Sequence, residues 1–201
     1  MSAPPTKFAV LLFPGFQALD VFGPLDVLNM LSRGRPFEFS VIAASRGPVP
    51  TRGLGSKQSI GQQIVATHTL QDAPEDIQVL LVPGGMGTRD TEARQPEIDF
   101  IRDRFPRLRF LLTVCTGAAL AARAGVLDGR RATTNKASFD WVSRPRASVR
   151  LFGAGDDERH GLTWATNRSR QMAAKSSGCD RRGGSRTATC GRRRACRRVS
   201  T

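Results

Sequence analysis

Three apolar runs constrain this chain more than anything else in it. They are Phe8-Ala9-Val10-Leu11-Leu12-Phe13, Val79-Leu80-Leu81-Val82 and Phe110-Leu111-Leu112-Thr113-Val114. A strand with one face in water alternates apolar and polar residues. A strand covered on both faces reads as a near-unbroken apolar stretch, as in a parallel sheet. Each run stops at turn chemistry: Pro14-Gly15, then Pro83-Gly84-Gly85-Met86-Gly87, then Cys115-Thr116-Gly117. Helical spacing follows each one. Leu25, Leu28 and Met30-Leu31 repeat after the first, with Pro24 suited to a first helical turn. Ile98, Ile101 and Phe105 give a helix face stopped by Pro106, and an Ala-rich helix follows Cys115 with Gly125 as its C-cap. Residues 37–43 read as a further strand, 45–76 as short strands and loops, 131–135 as a short strand, and 137–142 as a helical turn or two. This alternation predicts an α/β fold, an open, mainly parallel sheet flanked by helices on both faces, of flavodoxin-like type.

At 201 residues the chain suits one domain with a sizeable core. No apolar run approaches ~18 residues, so no membrane span is expected. The N-terminus, Met1-Ser2-Ala3-Pro4-Pro5-Thr6-Lys7, lacks the apolar core of a signal peptide, which makes a cytoplasmic, reducing setting the expectation. Cys115 is the first cysteine and the next is Cys179, so the segment before it cannot staple itself with a disulfide. His68 reads as a surface or packing histidine, and His160 has no Cys or Asp at metal-ligand spacing, so no metal is expected. Gly84-Gly85-Met86-Gly87 lacks the dinucleotide fingerprint spacing, and no cofactor is implied.

Three strand ends carry chemistry. Cys115 lies where a strand turns at once into a helix, the layout that presents a nucleophile above the edge of a sheet. The helix N-terminus is expected to favour the thiolate and lower the pKa from a free value of roughly 8.5. The competing reading is a buried structural cysteine. Asp20 follows the first strand, at the edge where open α/β sheets bind ligands; an ordinary helix-start carboxylate is the alternative. Gly84 and Gly85 leave backbone N–H groups unobstructed, fit for an oxyanion hole, although a plain tight turn would use the same residues. A carboxylate, backbone donors and a thiol converging on one edge are the ingredients of covalent catalysis.

Four blocks in order carry a family resemblance: Leu11-Leu12-Phe13-Pro14-Gly15 with Leu19-Asp20-Val21-Phe22-Gly23-Pro24, then Val82-Pro83-Gly84-Gly85, then Thr113-Val114-Cys115-Thr116-Gly117, and residues 125–134. Over about residues 7–166 the chain resembles the ThiJ/PfpI superfamily, the class I glutamine amidotransferase-like fold. Within it, Asp at position 20 and Thr after the cysteine are most similar to the isonitrile hydratase subgroup. The resemblance implies Cys115 as nucleophile, Asp20 as general acid/base, and the Gly85 and Thr116 N–H groups as donors to developing charge. It also implies Gly84, Gly23 and Asn135 around the substrate, a small electrophile, and a homodimer. Many members carry histidine at the position of Asn135, so a protease-like Cys-His partnership is not expected. Close alternatives are glyoxalase-type handling of 2-oxoaldehydes and, from another class, the sensor half of a transcription regulator. The latter needs a helix-turn-helix module for which residues 167–201 offer no apolar stripe.

Charge divides the chain at about Thr166. Residues 1–166 hold 20 basic and 16 acidic side chains, residues 167–201 hold 11 and 1, and the second segment contains no Leu, Ile or Phe. The expected organisation is therefore a ThiJ/PfpI-like domain over 1–166 and a basic, disordered tail over 167–201. Residues 161–166 look like the family's late strand; the family continues past it with a small-residue turn and a long apolar helix, and residues 167–201 do not match it. An out-of-frame or mis-spliced read of a GC-rich gene is one expectation. Cys179, Cys190 and Cys196, at spacings that fit no zinc ligand set, lean the same way. A genuine basic arm that binds nucleic acid, with a nuclear location, is the other.

Overall fold

The computed structural model describes residues 3–53 and 55–143, together with the backbone of two strands at 150–151 and 162–166. The expectations placed on the tail, its three cysteines, its missing helix and His160 fall outside the described residues.

In chain order the elements are β1 (Lys7–Leu11), α1 (Ala18–Ser32), β2 (Glu38–Ala43), β3 (Pro48–Pro50), β4 (Gln63–Val65), β5 (His68–Thr69), β6 (Val79–Val82), α2 (Gln95–Arg104), β7 (Phe110–Val114), α3 (Gly117–Arg123), β8 (Arg131–Ala132), α4 (Phe139–Ser143), β9 (Arg150–Leu151) and β10 (Leu162–Thr166). Short 3-10 turns at Met86–Arg89, Phe105–Arg107 and Lys136–Ser138 link them. The main sheet runs β10-β7-β6-β1-β2-β5. Its pairs are parallel except β10 against β7. β3 with β4 and β8 with β9 form two small ribbons. None of the helices among the described residues is long and apolar enough to cross a membrane.

The apolar runs are strands because the sheet is covered on both faces. Leu11, Leu12, Phe13, Ile42, Leu80, Leu111 and Leu120 are almost wholly shielded from solvent, and each side chain of this size contributes about 1.5–3 kcal/mol by burial. Register then fixes where the turns come out. Ala9 lies beside Leu80, and Leu80 beside Leu111, so β1, β6 and β7 end level with one another. The chain leaves β1 toward β2 on one side and later leaves β6 toward β7 on the other. β1 and β6 thus flank the point where the winding reverses, where such sheets open a crevice for ligands.

Three local expectations need correction. α1 begins at Ala18, so Pro24 lies inside the helix rather than in its first turn. Gln17, which gives no side-chain cap, precedes it, and the proline removes the N–H that would have bonded the Asp20 carbonyl. The apolar spacing in α1 also does not all turn inward. Val21 is buried, whereas Leu19, Phe22, Val27, Met30 and Leu31 are exposed. The strand expected over 131–135 covers only Arg131–Ala132. The stop placed at Pro106 holds: α2 ends at Arg104, and the chain passes on through the 3-10 turn at Phe105–Arg107.

Candidate active site

Cys115 stands directly after β7 and carries φ 53, the one non-glycine residue with positive φ among the described residues. That backbone region costs a side-chain-bearing residue about 1–3 kcal/mol and persists only where the surroundings enforce it. The enforcing contacts are visible. The Thr134 hydroxyl donates to the Cys115 carbonyl at 2.8 Å, and α3 starts immediately beyond at Gly117. The sharp turn leaves the cysteine half-buried rather than sealed in the core.

The loop after β6 brings the second group. The Gly84 N–H donates to Asp20 Oδ2 at 2.9 Å. The Gly85 N–H donates to Thr116 Oγ1 at 3.0 Å, and that hydroxyl reaches back to the Gly85 carbonyl at 3.3 Å. Gly84 sits where these groups close in: a Cβ there would lie 2.7 Å from the Thr116 nitrogen and 2.8 Å from Asp20 Oδ2. Gly85 is required for another reason. Its φ of 128 is open to glycine, and a Cβ would stand 2.3 Å from the Gly15 carbonyl oxygen. The loops after β1 and β6 are bonded together through Gln17 N–H to Gly84 O and Gly87 N–H to Gly15 O.

Electrostatics correct the expectation of a depressed thiol pKa. Burial and then the neighbouring Asp20 carboxylate push the Cys115 thiol above its ordinary value. The Thr116 N–H, the Thr116 hydroxyl and the Arg89 charge pull the other way without prevailing. α3 is short, and its N-terminal field is outweighed by desolvation of the sulfur. Asp20 is raised as well, by burial, against the stabilising Gly84 N–H. Both members of the pair lean toward holding a proton, and the Asp20 charge acts on the thiol. A carboxylate with raised pKa is a better base toward a neighbouring thiol.

The fold therefore gathers Cys115, Asp20, Thr116, Gly84 and Gly85 at one sheet edge. Of the expected oxyanion donors, the Thr116 N–H is directed at the sulfur, whereas the Gly85 N–H is taken by Thr116 Oγ1. Gly23 lies one turn beyond Asp20 on exposed α1, where an added Cβ would meet nothing within 4 Å. Asn135 follows Thr134, and its Oδ1 is buried without a partner. Sequence reasoning missed Arg89, Trp141 and Arg123. The Arg89 guanidinium stacks 3.9 Å from the Trp141 ring centroid and donates to Ser138 Oγ at 2.8 Å. Arg123 lies over the same ring at 5.0 Å. The available signal was an arginine in the turn after a strand and a tryptophan in the short helix Phe139–Ser143.

A strained cysteine elbow beside the topological switch of a parallel sheet, with a carboxylate across it, defines a cysteine-centred α/β domain. The chain belongs to the DJ-1/PfpI family, whose model matches residues 6–150. An isonitrile hydratase from Pseudomonas putida is 37% identical over 134 residues, 67% of this chain and 54% of that protein. The chain thus spans about half the length of that relative. The crystal structure of a ThiJ/PfpI family protein from Pseudomonas syringae superposes with TM-score 0.56 at 30% identity, covering 65% of this chain and 50% of that one. An AraC family transcriptional regulator from Pseudomonas putida superposes with TM-score 0.59 at 25% identity, covering 75% and 77%.

Proposed function

We propose that this protein is a cysteine-dependent hydratase that adds water to an isonitrile or a similar small electrophile. The observation that carries the reading is the Cys115–Asp20 pair: a thiol on a strained elbow, electrostatically coupled to a carboxylate fixed by the Gly84 N–H. The 37% identity to an isonitrile hydratase supports the substrate class.

For an isonitrile R–N≡C, Asp20 takes the thiol proton as sulfur bonds to the terminal carbon. The proton then passes to that same carbon, giving the thioimidate R–N=CH–S-Cys115. Asp20, again a carboxylate, removes a proton from water as its oxygen attacks the thioimidate carbon and delivers that proton to the nitrogen, giving R–NH–CH(OH)–S-Cys115. The C–S bond breaks, releasing R–NH–CHO and returning a proton to the thiol. One water is consumed and no oxidant is needed. The raised pKa of Asp20 suits both transfers. The Thr116 N–H stabilises the departing thiolate. The Gly85 N–H can serve the tetrahedral stage once Thr116 Oγ1 turns away.

The test is formamide production from an alkyl isonitrile by the full chain, compared with Cys115→Ser. Turnover is expected in the parent and a loss of about a thousandfold or more in the variant. Lactate from methylglyoxal with no formamide would favour the glyoxalase-type alternative. Ligand binding with neither product would favour a sensor domain, the role suggested by the regulator with which the fold superposes. The exposed Leu19, Phe22, Val27, Met30 and Leu31 of α1 supply an apolar surface suited to the homodimer that the family resemblance implies.

A further inference from the structure

Arg123 closes the last turn of α3, the helix that starts beside Cys115. Its Nη1 is buried and has no hydrogen-bond partner. A buried donor left unsatisfied costs about 1–3 kcal/mol, more when charged. Arg89 reaches the same place from the turn after β6, so that both guanidiniums lie over the Trp141 ring, at 3.9 and 5.0 Å from its centroid. Trp141 itself packs on Ala118 and Ala119, in the first turn of α3 and next to the elbow.

Among the described residues, the arrangement holds two like charges together without an acid. The ion pairs among the described residues involve neither Arg89 nor Arg123. Burial and the Arg89 charge both work against the charged form of Arg123. A guanidinium does not resolve such a conflict by losing its proton. The aromatic face offsets part of the cost, but it accepts no N–H in the fork geometry of a guanidinium. What completes the cluster chemically is an oxyanion. Its distance from the reacting centre is short enough that the Arg89 charge acts on the Cys115 sulfur.

We propose that Arg89 and Arg123, gathered on Trp141, form the receptor for a carboxylate carried by the substrate, so that the electrophile handled at Cys115 is an anionic one, such as an isocyano carboxylic acid. The electrophile in this proposal rests on the hydratase reading; the anion site does not. A carboxylate matches the planar fork of a guanidinium and leaves the remainder of a small molecule free to reach the sulfur.

The experiment has two arms, both on the full chain. The sequence holds two tryptophans, so Trp164→Phe leaves Trp141 as the fluorophore. Sodium acetate, inorganic phosphate and, at matched ionic strength, sodium chloride are titrated against its emission. Acetate is expected to give a saturable change that chloride does not. Arg123→Met, and separately the solvent-exposed Arg89→Gln, are expected to weaken it by roughly tenfold or more. Acetate behaving as chloride, or binding unchanged in both variants, overturns the proposal. Phosphate binding more tightly than acetate overturns the carboxylate assignment. In the second arm, KM is compared for isocyanoacetate and its methyl ester. The acid is expected to have a KM about tenfold lower, a ratio that collapses toward one in Arg123→Met. Equal KM values with turnover of both overturn the proposal and leave the hydratase standing. Turnover of neither, with acetate still bound, removes the hydratase reading and leaves the anion site.

Discussion

Gly84 donates its backbone N–H to the Asp20 carboxylate at 2.9 Å across 64 residues of sequence. The bond ties the loop after β6 to the start of α1 over the point where the sheet reverses its winding. It also explains why position 84 carries no side chain, since a Cβ would stand within 2.8 Å of Asp20 Oδ2 and of both the nitrogen and hydroxyl of Thr116.

Gly84→Ala is therefore expected to damage the site more than the fold. The added methyl presses on the carboxylate and on the elbow backbone, an overpacking cost of about 1–3 kcal/mol. Formamide production should fall by tenfold or more while the circular dichroism spectrum stays that of the parent. Activity within a factor of two of the parent would mean the close packing has no role in placing Asp20.

Asp20→Asn preserves size and removes the charge. Asp20 is the second cause, after burial, of the raised Cys115 pKa, so its loss should let the thiol ionise at lower pH. Iodoacetamide alkylation followed against pH should show its midpoint move down. Hydration should nonetheless drop by roughly a hundredfold or more, because the proton carrier is gone. A more reactive thiol with a slower reaction is the signature of a general acid/base. A midpoint that stays put would sink the electrostatic coupling.

The strands were legible in the sequence because burial on both faces leaves no polar residue for a strand to show. Turn chemistry at the end of each run let Asp20, Gly84-Gly85 and Cys115 be read as one edge, whereas the register that levels the ends of β1, β6 and β7 is tertiary. Other features depend on contacts that spacing cannot report. The start of α1 was hidden because Gln17 gives no side-chain cap and Pro24 looked like a first-turn residue. The direction of the Cys115 shift was misjudged because a helix terminus is visible in sequence, whereas desolvation and the approach of Asp20 are tertiary. Arg89, Arg123 and Trp141 come from three separate segments and meet only through packing on α3.

Thr134 should behave as a positioning residue. Its hydroxyl holds the Cys115 carbonyl at 2.8 Å, where the backbone is strained. Thr134→Val keeps the shape, removes the bond, and should destabilise the chain by about 1–2 kcal/mol. The Cys115 alkylation rate should change with it, and Thr134→Ser should restore both. If valine alters stability and leaves the alkylation rate and its pH profile alone, the hydroxyl is structural only.

The pH dependence of stability follows from the same cysteine. Burial first, and Asp20 second, raise the folded pKa of Cys115 from the ordinary 9.0. A group raised on folding contributes stability that is whole below its unfolded pKa and is lost as pH rises through the folded one. Below about pH 8 the thiol is neutral in both states and contributes nothing to the slope. Above the ordinary value the unfolded chain releases its proton first, which favours unfolding. In the window above about pH 8, urea midpoints of the parent should therefore fall faster with rising pH than those of Cys115→Ala. Comparing the two proteins cancels the titration of lysines, arginines and the remaining cysteines. If the two curves run parallel across that window, the thiol pays no desolvation penalty in the folded state. The acid-shifted nucleophile that the sequence alone suggested would instead make the parent's midpoint rise relative to that of Cys115→Ala.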